Sequence, residues 1–238
     1  MVCYICVSFN NYEPVAGILT EYEEDIMNLK VLAINGSARK NGNSATMLKN
    51  AVIGAEEADA KTRLVNLYSL DYKGCTGCVK CKLLSGKSFG RCAQRDDLTT
   101  VLEEAIDSDV LLLASPIYFN DVTGALRSFL ERLWFPAITY TKERKLLYPK
   151  RIKVGMIFTT NAPSDFYSEL YNGMVRTSSW IIGDTEYVAA AETWQFNDYS
   201  KYAADMFDVD ARKRRHEEIF PQECRMAYEM GKRLATVQ

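Results

Sequence analysis

The sequence lacks both a strong excess of charge of one sign and a long apolar run. Its formal net charge is −2, so nothing in it favours binding to nucleic acid or to an anionic membrane. The apolar stretch 1–9 is too short to span a bilayer, and no basic segment precedes it. With 47% apolar and 25% charged residues, the composition is typical of a soluble globular protein. We therefore predict neither nucleic acid nor membrane as a partner.

Internal repeats, low-complexity tracts and linkers are also absent, so we predict one domain over residues 27–238. Residues 1–26 do not have the pattern of the start of a fold, whereas Met27 immediately precedes the first convincing strand. Two interpretations of residues 1–26 remain open. They are either an extension upstream of the true start at Met27, or an arm that packs against a partner subunit.

Short apolar runs alternate with helical patterns along the chain. Continuous runs predict strands buried on both faces at 29–36, 109–118 and 152–161, and weaker strands follow at 61–68 and 186–193. Helices are predicted at 44–58, 96–108, 123–134, 165–181 and roughly 211–235. This alternation predicts an α/β fold with three α/β/α layers. Its sheet is a flavodoxin-like, doubly wound, five-stranded parallel sheet of order 2-1-3-4-5.

The segment 36–44 lies between the first strand and a helix, where the topology places ligands. Glycines allow close approach of a ligand, the helix N-terminus offers free N–H groups, and polar donors are supplied by Ser37, Arg39, Asn43 and Ser44. The lysine of a Walker loop and the closely spaced glycines of a dinucleotide loop are both missing. A mononucleotide phosphate fits what remains. The alternative is a plain strand–turn–helix connection capped by Asn43.

Two further strand ends meet the same edge of the predicted sheet. After the third strand come Pro116, Ile117, Tyr118 and Phe119, which combine apolar and aromatic surface with backbone donors, as an isoalloxazine ring requires. The alternative is that the aromatic residues only cap the core. After the fourth strand, Thr160 and Asn161 fit a wall of the same site. Together the loops predict FMN as the cofactor.

Seven cysteines form an odd and clustered set, which is typical of a reducing compartment and of metal or redox use. We therefore predict a cytoplasmic protein. Cys75, Cys78 and Cys81 form a ladder that is followed by Cys92, a spacing that lets four thiolates reach a [4Fe–4S] cluster. Zinc is less suitable because a second pair of closely spaced cysteines is missing. A cysteine-lined loop without metal remains the alternative.

The sequence resembles the NADPH-dependent FMN reductases and, more closely, the iron–sulfur flavoproteins. The resemblance is found in four stretches: 35–44, 74–81, 92–98 and 115–132. The likeness covers roughly residues 29–195. It implies that the first loop binds the FMN phosphate, that residues 116–119 contact the isoalloxazine, and that Thr160 and Asn161 lie nearby. The chain departs from the family in the ten-residue gap before Cys92 and in its third loop, where Asn161 and Ala162 replace a pair of glycines.

The resemblance implies transfer of electrons from NAD(P)H or a protein donor, such as a ferredoxin-type protein, through FMN to a quinone, flavin or other small acceptor. It also implies a homodimer or homotetramer. Two alternatives are an electron carrier that does not itself oxidise NAD(P)H, and a domain that has lost its cofactor and serves in assembly. No acid–base pair is needed, because the chemistry belongs to the flavin.

The single histidine, His216, lies in the charged segment 211–218. We interpret it as part of a solvent-exposed helix face, because catalysis would need a neighbouring partner that the sequence does not reveal. The basic residues 212–215 are interpreted in the same way. The alternative interpretation of residues 212–215 is that they contact the 2′-phosphate of a nicotinamide dinucleotide.

Overall fold

A computed structural model describes residues 28–236, so the predictions about residues 1–26 lie outside the described part. Five parallel strands form the sheet: β1 (Lys30–Asn35), β2 (Lys61–Asn66), β3 (Val110–Tyr118), β5 (Lys153–Thr159) and β6 (Thr185–Ala190). Their order is β2-β1-β3-β5-β6, which confirms the predicted 2-1-3-4-5 arrangement. A two-residue strand, β4 (Asp121–Val122), was not predicted and pairs antiparallel with the end of β3.

Six α-helices cover the two faces of the sheet: α1 (Asn43–Glu56), α2 (Leu98–Asp107), α3 (Gly124–Ala137), α4 (Ser168–Ile181), α5 (Val209–Glu218) and α6 (Phe220–Leu234). Single 3-10 turns lie at Leu67–Ser69, Lys80–Lys82 and Tyr199–Lys201. Among the helices of residues 28–236, none combines the length and apolar character needed to cross a membrane.

The core has two halves because alternate residues of each central strand point to opposite faces. In β3, Leu111 and Leu113 pack with α2, α3 and α4, whereas Leu112 and Ala114 pack with α1 and α6. Both faces of the central strands are therefore covered by helices. This explains why these strands are continuously apolar in sequence and why a ligand has access only at their ends.

The predicted final helix, roughly 211–235, is two helices that meet at Ile219. Pro221 lies in the first turn of α6 and has no N–H, so it cannot continue the hydrogen-bond ladder of α5. The break brings the last turn of α5 and the first turn of α6 to the same edge of the sheet as the segment 36–44. The prediction of a single final helix over roughly 211–235 is therefore wrong.

Candidate functional site

A cleft of about 870 Å³ opens at the carboxyl ends of β1, β3 and β5. Nine of the ten predicted cofactor-binding residues line it: Ser37, Arg39, Asn43, Ser44, Pro116, Ile117, Tyr118, Thr160 and Asn161. The tenth, Phe119, lies outside the lining. Loops that are far apart in sequence thus converge at the switch point of the sheet, where doubly wound folds bind ligands.

The first loop leaves the N-terminus of α1 without a side-chain cap. Gly42 is the N-cap residue and has no side chain to offer, while the amide of Asn43 donates instead to the Trp194 carbonyl oxygen at 2.8 Å. The prediction that Asn43 caps this helix, made as part of the alternative of a plain strand–turn–helix connection, is therefore wrong. Uncapped N–H groups at a helix N-terminus, which also carries a partial positive charge, favour a bound anion.

Gly36 lets the first loop lie directly against β3 and α3. Its N–H donates to the Ala114 carbonyl oxygen at 2.8 Å, and a Cβ atom at this position would lie 2.8 Å from the Leu126 Cβ. A larger residue would push the loop away from its neighbours. Ser37, the next residue, donates its backbone N–H to the Asn35 side chain at 3.0 Å and accepts from the Arg39 N–H at 3.2 Å.

Buried hydroxyl groups tie the three loops together. The Thr123 hydroxyl donates to the Gly36 carbonyl oxygen at 2.6 Å and also caps α3 by accepting from the Leu126 N–H. The hydroxyls of Ser44 and Thr159 lie 2.6 Å apart and join α1 to the end of β5. These bonds fix the positions of the loops relative to one another.

The second loop is a tight β3–β4 hairpin. Its two turn residues, Phe119 and Asn120, have φ values of 49° and 64°, in the left-handed region that most side chains avoid. The Phe119 side chain is fully exposed at 102%, and Tyr118 is exposed at 52%. Consequently Pro116, Ile117 and Tyr118 form the wall of the cleft, while Phe119 points into solvent.

The C-terminal half of the chain supplies a wall that the sequence did not reveal. The Arg39 guanidinium donates to the Gln195 carbonyl oxygen at 2.7 Å, and the Asn161 amide donates to the Gln195 side chain. The remaining unpredicted lining residues here are Thr193, Trp194, Asn197, His216, Phe220, Pro221 and Cys224. Pro221 was the one residue in the sequence that indicated this wall, because a proline at that point argues against a continuous final helix.

The four predicted cysteine ligands surround one small cavity together with Glu131, Arg132, Phe135 and Pro136. Cys75 and Cys78 are exposed, while Cys81 is buried and Cys92 is half-buried. Within residues 28–236, no three histidine, cysteine, aspartate or glutamate side chains converge in the arrangement of a metal site. The structure therefore brings the four cysteines to one cavity without forming a metal site among the described residues.

The ten-residue gap before Cys92 does not separate that cysteine from the ladder. Residues 82–89 form a series of turns, and the Gly90 N–H donates back to the Cys81 carbonyl oxygen at 3.0 Å. The chain therefore returns beside Cys81 before it reaches Cys92, and both cysteines line the same cavity. Burial raises the pKa of the Cys81 thiol.

Arg132 holds the cysteine loop from beneath. Its side chain is 0% exposed and donates to the Cys92 sulfur at 3.3 Å, to the Lys73 carbonyl oxygen at 3.0 Å and to the Asp96 carboxylate at 2.6 Å. Partial burial opposes ionisation of Asp96, but the hydrogen bond and charge of Arg132 outweigh it and hold the pKa of that carboxyl below its ordinary value. One guanidinium thus joins both ends of the loop to α3.

The profile of the NADPH-dependent FMN reductase family matches residues 29–162, more than half of the chain. The chain belongs to the NADPH-dependent FMN reductase family. Its relatives include an iron–sulfur flavoprotein of Archaeoglobus fulgidus, 34% identical over 105 residues that cover 44% of this chain and 46% of the relative. An iron–sulfur flavoprotein of Methanocaldococcus jannaschii is 25% identical over 163 residues, 66% of this chain and 78% of the relative.

This family member thus spans less than half the length of the Archaeoglobus relative. Among solved structures, an NAD(P)H:quinone oxidoreductase from Methanothermobacter marburgensis superposes with a TM-score of 0.58 at 13% identity. The superposition covers 89% of this chain and 99% of the other. At that level of identity the likeness shows a shared flavodoxin-like fold.

Proposed function

We propose that the protein is an FMN-dependent oxidoreductase that takes electrons from NAD(P)H or a protein donor and passes them to a quinone, flavin or other small acceptor. The observation that carries the proposal is the convergence of three loops on one cleft at the uncapped N-terminus of α1. A phosphate dianion supplies the negative charge that this helix end favours. The family match supports FMN as the molecule that carries the phosphate.

The residues of the cleft divide into two groups by chemistry. Ser37, Arg39, Asn43 and Ser44 offer hydroxyl, guanidinium and amide donors to the phosphate end. Pro116, Ile117 and Tyr118 offer an apolar wall and backbone donors to the ring end, and Thr160 with Asn161 closes the side. When bound, FMN supplies the hydride- and electron-transfer chemistry, so the residues of the chain need only bind, orient and limit access of water.

The visible spectrum of the purified protein tests the cofactor assignment. We expect flavin absorbance and release of FMN on denaturation. Replacing both Ser37 and Asn43 by alanine removes phosphate donors and should weaken FMN binding at least tenfold, since hydrogen bonds to charged groups contribute about 1.5–3 kcal/mol each. Ser164→Ala, at an exposed serine outside the cleft, is the matched control. A protein that binds no flavin would instead support the cofactor-free assembly domain.

Steady-state oxidation of NADH and NADPH tests the enzymatic part of the proposal. With a quinone or free flavin as acceptor, we expect turnover that depends on bound FMN. A protein that retains FMN but oxidises neither nucleotide would be an electron carrier, and its reduction by a ferredoxin-type protein would then be measured directly.

We further propose that Cys75, Cys78, Cys81 and Cys92 hold a [4Fe–4S] cluster, which would supply one-electron storage and transfer when bound. Four thiols around one cavity support this proposal, and so does the naming of the curated relatives as iron–sulfur flavoproteins. Anaerobic purification should yield iron and acid-labile sulfide. Cys92→Ser should lose both, while Cys224→Ala, at a buried thiol outside this cavity, should keep them. Absence of iron and sulfide after reconstitution would leave a metal-free cysteine loop.

We also propose that the protein is cytoplasmic and acts as a homodimer or homotetramer. The exposed aromatic side chains of Tyr118, Phe119 and Phe166 support assembly, because large exposed apolar groups are typical of interaction surfaces. Light scattering coupled to gel filtration measures the assembly, and a monomeric mass would contradict this part of the proposal.

A further inference from the structure

His216 is the only histidine of the chain, and its half-buried side chain lines the cleft. Two aromatic rings lie nearly parallel to the imidazole. The Trp194 ring centroid lies 6.1 Å away at an interplanar angle of 28°, and that of Phe220 lies 5.3 Å away at 21°. These rings hold the imidazole at the wall of the cleft, where its ring nitrogens are the groups that can make a polar contact.

The two ring nitrogens have different surroundings. Nδ1 is buried without a hydrogen-bond partner, whereas Nε2 is accessible and also has no partner within residues 28–236. A proton on Nδ1 would be a buried donor without an acceptor, which is costly. Nε2 is therefore the ring nitrogen that can meet a ligand in the cleft.

The ring lies next to the phosphate end of the site. Trp194, which stacks on His216, accepts a 2.8 Å hydrogen bond from the amide of Asn43, the first residue of α1. The imidazole is thus one residue removed from the uncapped N-terminus of that helix. Pro116 and Tyr118, which form the ring end, belong to a different wall of the cleft.

Two basic residues of α5 contact other groups of the chain. Arg212 donates to the Asn161 carbonyl oxygen at 2.9 Å and faces Glu192, while Arg215 pairs with Glu223. Among the residues of α5, His216 alone lines the cleft. Arg212 and Arg215 therefore stabilise the position of the helix, and the histidine is the residue that can provide a polar contact in the cleft.

We propose that His216 Nε2–H donates a hydrogen bond to the phosphate of the bound mononucleotide, and that this contact makes the cleft prefer FMN over riboflavin. The inference rests on the proposed function, since it assumes that the cleft holds FMN. The same phosphate chemistry is offered by NADP⁺, so the two sources must be separated by experiment.

A single histidine makes the test direct. Protein labelled with ¹⁵N-histidine and freed of any affinity tag gives one pair of imidazole nitrogen signals, whose shifts report the tautomer. We expect the Nε2–H signal to shift when FMN or inorganic phosphate is added to the flavin-free protein, and not when riboflavin is added. An unchanged signal with FMN, or an equal shift with riboflavin, would overturn the inference. A shift only when NADP⁺ is added to the FMN-loaded protein would overturn it in favour of the dinucleotide.

Variants provide a second measurement. His216→Phe keeps the aromatic stack and removes the donor, so it should weaken FMN binding about ten- to hundredfold, the range expected for a hydrogen bond to a charged group, with riboflavin affinity changed less than about twofold. His216→Gln, which places an amide near Nε2, should recover part of the loss. Glu217→Gln, at an exposed neighbour on α5, is the matched control.

The proposed function and the proposed role of His216 would be contradicted by different results. If the unmodified protein binds neither FMN nor riboflavin, the proposed function is wrong. If it prefers FMN and His216→Phe keeps the same ratio of FMN to riboflavin affinity, the proposed function stands and the role of His216 is wrong.

Discussion

The cleft and the cysteine loop are held in place by different kinds of contact. The cleft lies at the ends of central strands, and hydroxyl groups of neighbouring loops, such as Thr123 to Gly36 and Ser44 to Thr159, hold its walls. The cysteine loop lies outside the sheet, and its two ends are joined by the buried, charged guanidinium of Arg132 and by the Gln94 amide, which donates to the Gly74 carbonyl oxygen at 3.1 Å. The cleft thus depends on neutral hydrogen bonds between strand ends, whereas the cysteine loop depends on a buried charge as well.

The largest expected effect follows from removing the buried charged support of the cysteine loop. Arg132→Met leaves the Asp96 carboxylate without its charged partner and the Lys73 carbonyl oxygen without this donor, so we expect a loss of about 3–5 kcal/mol in the free energy of unfolding. Urea denaturation measures the loss, and iron and sulfide content should fall with it.

Arg132→Lys is the matched control, since it keeps the charge but cannot donate to Cys92, Lys73 and Asp96 together. It should retain more stability than the methionine variant while still losing iron. If Arg132→Met loses FMN as readily as iron, the two regions are not independent and the comparison fails.

The next effect tests the close packing of the cleft. In Gly36→Ala the new methyl group would lie 2.8 Å from the Leu126 Cβ and 3.0 Å from the Ala114 carbonyl oxygen. We expect a loss of about 1–3 kcal/mol of stability, together with a reduced FMN content, because the loop must shift. Gly124→Ala is the control: nothing lies within 4 Å of its Cβ position, and alanine favours the helix that begins there. Equal effects of the two substitutions would contradict the assignment.

A smaller effect is expected for a single link between loops. Thr123→Val removes the hydroxyl that binds the Gly36 carbonyl oxygen and caps α3, at a cost of about 1–2 kcal/mol in thermal or urea unfolding. Because the Ser44–Thr159 contact remains, FMN binding should weaken only slightly. Thr123→Ser keeps the hydroxyl and should behave almost like the unmodified protein. A complete loss of FMN would show that the cleft depends on one support after all.

The smallest effect is at the tip of the β3–β4 hairpin. Phe119→Gly relieves the positive φ of 49° and should raise stability by about 0.5–1 kcal/mol. FMN affinity should not change, because the side chain is fully exposed and lies outside the cleft. Isothermal titration with FMN measures this directly. A weaker affinity of the variant for FMN would instead support the contact between Phe119 and the isoalloxazine ring that the sequence predicted.

Much of the fold and of the cleft was predictable because local pattern and topology agree. Continuous apolar runs such as 109–118, when they alternate with helical patterns, favour strands covered on both faces, and right-handed connections leave one natural order for five of them. Residues that follow these strands, such as Ser37, Pro116 and Thr160, must then meet at one edge. Phe119 shows the limit of this reasoning, because a turn at left-handed φ points its side chain away from the edge.

The sequence by itself determined which strand end carries the glycine- and serine-containing segment 36–44 and that four cysteines share one segment, because both are short-range patterns of residue type and spacing. Only the tertiary structure decided that Cys92 returns to Cys81 across a long gap, and that His216, which resembles a surface residue in its charged segment, enters the cleft. Both outcomes depend on turns and on a helix break whose directions are set by packing against distant elements. The periodicity of residues within one segment does not predict contacts with elements that are distant in the sequence.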